Sequence, residues 1–141
     1  MVRHTSGKKD QLFFPPEVRK HIKGNVFTHN HPDTNIAALS DGDIYMAMGN
    51  QVKEVRAVSV AGQVSRMYPK PGKKWPKNSI KLSINMETSI DQANKRIDKM
   101  IKEKKLIIRT QRDEDEANQE WYNIAMGLFA KKSGLIYERY R

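Results

Sequence analysis

The chain of 141 residues contains no cysteine. This absence excludes a disulfide framework and any metal site built on thiolates. A metal ion would therefore have to be held by histidine and carboxylate side chains. Long apolar runs are also missing, because none approaches the roughly 20 residues of a membrane span, and the first ten residues lack the apolar stretch of a signal peptide. The sequence predicts a protein that is neither inserted in a membrane nor secreted through a signal peptide.

Basic residues dominate the charge of the chain. It has 26 lysines and arginines against 16 aspartates and glutamates, which gives a net charge of +10 and a pI near 9.8. Such an excess suggests a polyanionic partner, most often nucleic acid, although a basic surface without a specific partner is the alternative. Trp75 lies among lysines and could stack on a nucleobase or fill the edge of a core. Another basic cluster predicts either a solvated helix face or phosphate contacts. Its members are Lys95, Arg96, Lys99, Lys102, Lys104 and Lys105.

The spacing of apolar residues predicts an α/β fold with a small mixed sheet, a short helix after the histidine-containing loop and two C-terminal helices. Composition divides the chain into a core over 1–70, a linker over 71–84 and a C-terminal part over 85–141, in which two helices and a final strand pack on the core. A capping box of Ser89 and Gln92 predicts the start of the first of these helices. The predicted strands are 11–14, 25–29, 54–60, 64–68 and 135–140, and the other predicted helices cover 16–23, 41–48 and about 113–133.

Two histidines one residue apart, His29 and His31, end the second predicted strand. Alternate residues of a strand point to the same side, so both imidazoles can face one point. Asp43, near the start of the next helix, could supply a third ligand. Three ligands of nitrogen and oxygen type are typical of catalytic zinc sites, which keep one coordination position open.

Helix capping is the alternative interpretation of the same residues. Ser40 is a good N-cap, and Asp43 stands three residues later, where the acid of a capping box belongs. One carboxylate would then serve both a cap and a metal, unless its two oxygens divide the work. In this alternative the two histidines are exposed or hydrogen-bond the loop.

The His29-Asn30-His31-Pro32 and Ser40-x-x-Asp43 motifs resemble those of the JAB/MPN (JAMM) metalloproteases, including the RadC-type bacterial members. The resemblance implies that His29, His31 and Asp43 ligate zinc and that Ser40 is a catalytic residue that stabilises an oxyanion. The family also requires an upstream glutamate as general base. The chain offers only Glu17 and Asp10 before the histidines, and neither lies clearly on the required strand. Three alternatives follow: a divergent base, a base from another chain, or a fold that keeps its metal site without peptidase activity.

A wider resemblance links the chain to the C-terminal region of phage minor head (MuF-like) proteins. It covers the segments 23–32, 39–44 and 53–58, and more weakly the tail motifs near Trp121 and Tyr137. Because the sequence shows neither a membrane span nor a signal-peptide pattern, we expect a cytoplasmic or virion-associated protein.

Two hypotheses for function follow. The first is a zinc-dependent hydrolase-like domain acting on a peptide or isopeptide bond or, given the charge, a phosphodiester, with a divergent or missing base. The second is a non-enzymatic basic phage protein that binds DNA or the head–portal assembly, in which the two motifs only hold the loop. Neither hypothesis fixes an oligomeric state.

Overall fold

The computed structural model describes residues 16–31 and 37–140, and of His31 the backbone alone. The described residues form four helices and four strands, which confirms the mixed α/β class; the strand predicted at 11–14 lies outside them. In chain order the elements are α1 (Pro16–Ile22), β1 (Val26–His31), α2 (Asp41–Asn50), β2 (Glu54–Ser59), β3 (Val64–Pro69), α3 (Ser79–Lys102), α4 (Gln111–Ser133) and β4 (Leu135–Tyr140).

The four strands form one mixed sheet in the order β1-β2-β3-β4. β1 runs parallel to β2, and the other two pairs are antiparallel. Parallel neighbours need a crossover, and α2 lies in the connection that provides it. The predicted hairpin of β2 and β3 is confirmed, and its turn contains Gly62 at a φ of +78°.

The hydrophobic core lies on one face of the sheet. Val55 and Ala57 of β2 and Met67 of β3 point to this face and are fully buried, together with Ile44 of α2 and Phe129 of α4. All four helices contribute side chains to the same cluster. The helices therefore cover this face of the sheet.

Trp75 belongs to that core. Its side chain is buried, and its indole nitrogen donates a hydrogen bond to the Val52 carbonyl at 2.7 Å. An indole in this position cannot stack on a nucleobase, so the core-filling alternative of the sequence analysis is the correct one.

The opposite face of the sheet carries no described helix, and we call it the open face. Alternation along each strand sends polar, aromatic and smaller apolar side chains to it, and most of them are exposed or half-buried. Its twelve residues are Val26, Thr28 and Asn30 of β1; Glu54, Arg56 and Val58 of β2; Val64, Arg66 and Tyr68 of β3; and Ile136, Glu138 and Tyr140 of β4.

The predicted start of α3 at Ser89 is wrong. The helix begins at Ser79, inside the predicted linker, with Asn78 as N-cap. Ser89 is not a cap: it is buried in the middle of the helix, where its hydroxyl donates to the Asn85 carbonyl at 2.6 Å. Serine can satisfy its hydroxyl in this way within a helix, so its presence alone does not mark a helix start.

α4 packs antiparallel to α3. The Trp121 indole donates to the Asn94 side chain near the middle of the two helices, and Asn85 bonds Ser133 where α4 ends. α4 starts slightly earlier than predicted, and Gly134 ends it at a φ of +69°, as expected for a C-cap glycine. Within the described part of the chain, neither these helices nor the shorter ones combine the length and apolarity that crossing a membrane needs.

Candidate metal centre

His29 and Asp43 meet in the structure, although 13 residues separate them in the chain. The His29 Nε2 atom lies 3.5 Å from Oδ2 of Asp43. Both side chains are largely buried, with exposed fractions of 13 % and 11 %. A strand end and a helix start thus bring an imidazole and a carboxylate together in a sheltered position.

The separation of these two atoms is compatible with two ligands of one ion. Zinc bonds to histidine nitrogen and carboxylate oxygen at about 2.0–2.2 Å, so two tetrahedral ligands lie about 3.3–3.5 Å apart. A direct charge-assisted hydrogen bond would be shorter, at about 2.7–2.9 Å. The observed 3.5 Å therefore fits a shared cation better than a strong direct bond, while a loose ion pair that only holds the loop remains the alternative.

The sheet fixes the direction of the His29 side chain. β1 pairs with β2 so that His29 lies opposite Ala57 and Phe27 lies opposite Val55, both on the core face. The Phe27 and His29 rings stack at 5.9 Å between centroids. Because Ala57 is small, it leaves the imidazole room above the sheet.

The capping box at the start of α2 fixes the carboxylate of Asp43. The backbone N–H of Ser40 donates to Oδ2 at 2.7 Å, and the Ser40 hydroxyl donates to the same atom at 3.0 Å. In return the Asp43 N–H donates to the Ser40 hydroxyl oxygen at 3.2 Å. The predicted cap is confirmed. The two carboxylate oxygens of Asp43 do not take separate roles, because the capping hydrogen bonds and the His29 contact all reach Oδ2.

The hydroxyl of Ser40 has one hydrogen, which the Asp43 carboxylate accepts. Donation to an oxyanion would require the hydroxyl to rotate away from Asp43. The observed geometry is that of a residue that positions Asp43.

A buried polar group holds the segment that leads into Ser40. The Ser65 hydroxyl donates to the Ala37 carbonyl, and its oxygen lies 3.4 Å from the Tyr137 hydroxyl. Tyr137 donates its single hydroxyl hydrogen to Oδ1 of Asn123 at 2.6 Å. Burial raises the pKa of Tyr137 above its ordinary value of 10.0. These bonds connect the end of the histidine loop to β3, β4 and α4.

The third predicted ligand, His31, is located by its backbone alone. It continues β1 and pairs with Ser59, and strand alternation places it on the same face as His29. Among the side chains that the structure describes, no group of three or more histidines and carboxylates is arranged to hold a metal ion. The described part of the candidate centre is therefore the His29–Asp43 pair alone.

Among the residues that the structure describes, no general base is evident near this pair. Glu17 lies on an exposed position of α1, not on a strand, and Asp10 lies outside the described residues. Glu54 is buried and belongs to the strand next to β1, but it pairs with Val26 and points to the open face. It lies on the wrong side of the sheet to act at His29.

Sequence reasoning missed a charged network on the open face. Arg66 bonds Glu138 across β3 and β4 at 2.7 Å, and it lies 3.6 Å from Glu54, which also bonds Arg56. Period-two alternation in β2, β3 and β4 was the signal that could have found these residues. Their pairing depends on strand register, which one sequence does not reveal.

The lysine-rich end of α3 is exposed, as the solvated-face interpretation predicts. The side chains of Lys99 and Lys105 are 74 % and 69 % exposed, and both lie near Glu103. Exposure of this kind does not distinguish a solvated surface from a phosphate-binding one.

Comparison with family models, curated proteins and solved structures finds no match to this chain. The resemblances to JAB/MPN enzymes and to phage minor head proteins therefore stay predictions from the motifs.

Proposed function

We propose that this chain is a JAB/MPN-like metal-binding domain in which His29, His31 and Asp43 hold zinc at a hydrolytic centre for peptide or isopeptide bonds. The observation that carries the proposal is the 3.5 Å approach of His29 Nε2 to Asp43 Oδ2 in a largely buried position. When bound, zinc supplies Lewis-acid polarisation of a carbonyl and activation of water.

The residues of the chain have separate tasks in this proposal. His29 and Asp43 supply a nitrogen and an oxygen ligand from two different elements, held in place by Phe27 and by the capping box. Ser40 is a positioning residue, because its hydroxyl and backbone N–H both direct the Asp43 carboxylate. The surrounding burial excludes part of the solvent and so strengthens electrostatic contacts at the centre.

Zinc content tests the proposal directly. The purified protein is dialysed against zinc and then against metal-free buffer, and its bound metal is measured by mass spectrometry. We expect about one zinc per chain in the unaltered protein. His29→Ala should lose most of the bound zinc, because the substitution removes one of the three proposed ligands.

His21→Ala is the matched control, because His21 is an exposed histidine on α1 and is not one of the three proposed ligands. It should keep the full zinc content. If the unaltered protein holds no zinc, or if both variants lose it equally, the metal centre is wrong and the pair only holds the loop. A protein that keeps zinc but cleaves no peptide or isopeptide substrate would retain the centre and lose the hydrolytic part of the proposal.

A further inference from the structure

The open face contains a platform of aromatic and cationic side chains. The guanidinium carbon of Arg66 lies 5.1 Å from the centre of the Tyr68 ring and 5.5 Å from that of Tyr140. Glu138 and Glu54 hold the guanidinium from the sides. The two tyrosine rings thus lie on either side of one arginine. Because these contacts already hold the rings, a ligand that stacks on them loses little side-chain entropy on binding.

This platform is accessible. Tyr140 is 43 % exposed, and the side chains of Arg66 and Arg56 are 27 % and 33 % exposed. Neighbouring strands lie about 4.8 Å apart and rise about 3.3 Å per residue, so four strands of six residues present a face of about 380 Å². A face of these dimensions is large enough for a few stacked bases.

The charge around the face favours an anionic ligand. On the face itself the two arginines and two glutamates cancel, so the attraction comes from its rim. Lys23 precedes β1, Lys53 precedes β2 and Lys70 follows β3. Because β3 runs antiparallel to β2, all three exposed lysines lie at one end of the sheet.

We propose that the open face binds single-stranded nucleic acid, with Tyr68 and Tyr140 stacking on bases and the rim lysines contacting phosphates. Every base offers a flat face to an aromatic ring, so the contact tolerates any sequence. A duplex keeps its bases stacked on each other and cannot use the rings. Since the contacts reach rings and phosphates, DNA and RNA strands should bind alike. The proposal is independent of the metal centre on the other face.

Fluorescence anisotropy with the full chain tests this inference. The probes are labelled twelve-nucleotide strands of thymidine and of uridine, and a labelled DNA duplex of the same length. We expect both single strands to bind at least tenfold more tightly than the duplex. Tyr68→Leu and Tyr140→Leu should each weaken single-strand binding about fivefold or more, because stacking on one ring is worth about 1–3 kcal/mol.

Charge variants separate the rim from the general basicity of the chain. The double variant Lys53→Ala/Lys70→Ala should reduce the slope of log affinity against log salt by about 1.4, since each phosphate contact to a single strand contributes about 0.7. The double variant Lys95→Ala/Lys99→Ala removes the same charge from α3 and should leave stacking-dependent binding nearly unchanged. Circular dichroism checks the fold of each variant. Tyr140→Leu carries the test if Tyr68→Leu fails to fold, because Tyr140 is the more exposed ring.

Three results would overturn the inference. The first is unchanged single-strand affinity in the folded Tyr140→Leu protein. The second is that the duplex binds more tightly than the single strands, or that the α3 lysine variant loses more single-strand affinity than the rim lysine variant. The third is a change in sedimentation coefficient on Tyr140→Leu without any nucleic acid, which would assign the face to contact between copies of the chain.

Discussion

Replacing Asp43 by asparagine should separate metal binding from helix capping. The asparagine side chain keeps an oxygen that can accept the capping hydrogen bonds, but it lacks the charge that a zinc ligand of this kind supplies. The chain contains its own control. Asp113 occupies the same position in the capping box of α4, where it accepts from the N–H groups of Thr110 and Arg109 at 2.9 Å.

The size of the effect follows from linkage. Zinc at one hundred times its dissociation constant stabilises the folded state by about 2.7 kcal/mol. An unfolding entropy of about 2.1 cal/mol/K per residue gives about 0.3 kcal/mol/K for this chain. Dividing the stabilisation by this entropy gives a rise of about 9 °C in the midpoint temperature of thermal unfolding. If Asp43→Asn weakens binding a hundredfold, about 0.4 kcal/mol remains at the same zinc concentration, and the rise falls below about 2 °C.

Differential scanning fluorimetry with zinc, and again after adding a chelator, measures these rises. The unaltered protein and Asp113→Asn should gain the full increment and lose it with the chelator, while Asp43→Asn should gain little. An equal rise in all three proteins would mean that zinc binds elsewhere. No rise in the unaltered protein would mean that the His29–Asp43 pair does not bind zinc.

Three further predictions concern the fold. Phe129→Ala should lower the free energy of unfolding by about 3–5 kcal/mol, because Phe129 is fully buried in the core, and urea denaturation measures this. Gly49→Ala, inside α2 and facing open space, should raise the free energy of unfolding by about 0.5–1 kcal/mol. Gly134→Ala, at a φ of +69°, should lower it by about 1 kcal/mol. Changes of the same sign in the two variants would contradict the argument from backbone conformation. Burial raises the pKa of Tyr137 in the folded protein. The neutral phenol therefore contributes fully to the free energy of unfolding below the ordinary pKa of 10.0, and this contribution is lost as the pH rises through the pKa of the folded state. Tyr137→Phe should therefore flatten the fall of the urea midpoint between about pH 9 and 11, and an unchanged slope would show that other groups cause it.

Local signals predicted most of the elements. The alternation of β2 and β4, the turn between β2 and β3 and the C-cap at Gly134 were all readable from the sequence. The start of α3 was missed because the proline- and lysine-rich segment before it obscured the apolar pair Leu82 and Met86. These residues are one helical turn apart, and both are buried in the core.

The candidate site was predictable as far as the motifs reach. Ser40 and Asp43 share one helix turn, so their mutual hydrogen bonds follow from local spacing. The meeting of Asp43 with His29 also needed the α2 crossover, which the motif order suggested. The sequence could not predict the Arg66–Glu138 pair, because its members are 72 positions apart in the chain and only the strand register brings them together.

The pairing of β3 with β4 has a consequence for folding speed. Both helices α3 and α4 lie between these neighbouring strands, so the ladder that joins them is the most non-local contact of the sheet. An antiparallel helical pair returns the chain to its starting point and shortens the loop that must close. Substitutions that loosen the contact between α3 and α4 should therefore slow refolding more than they accelerate unfolding.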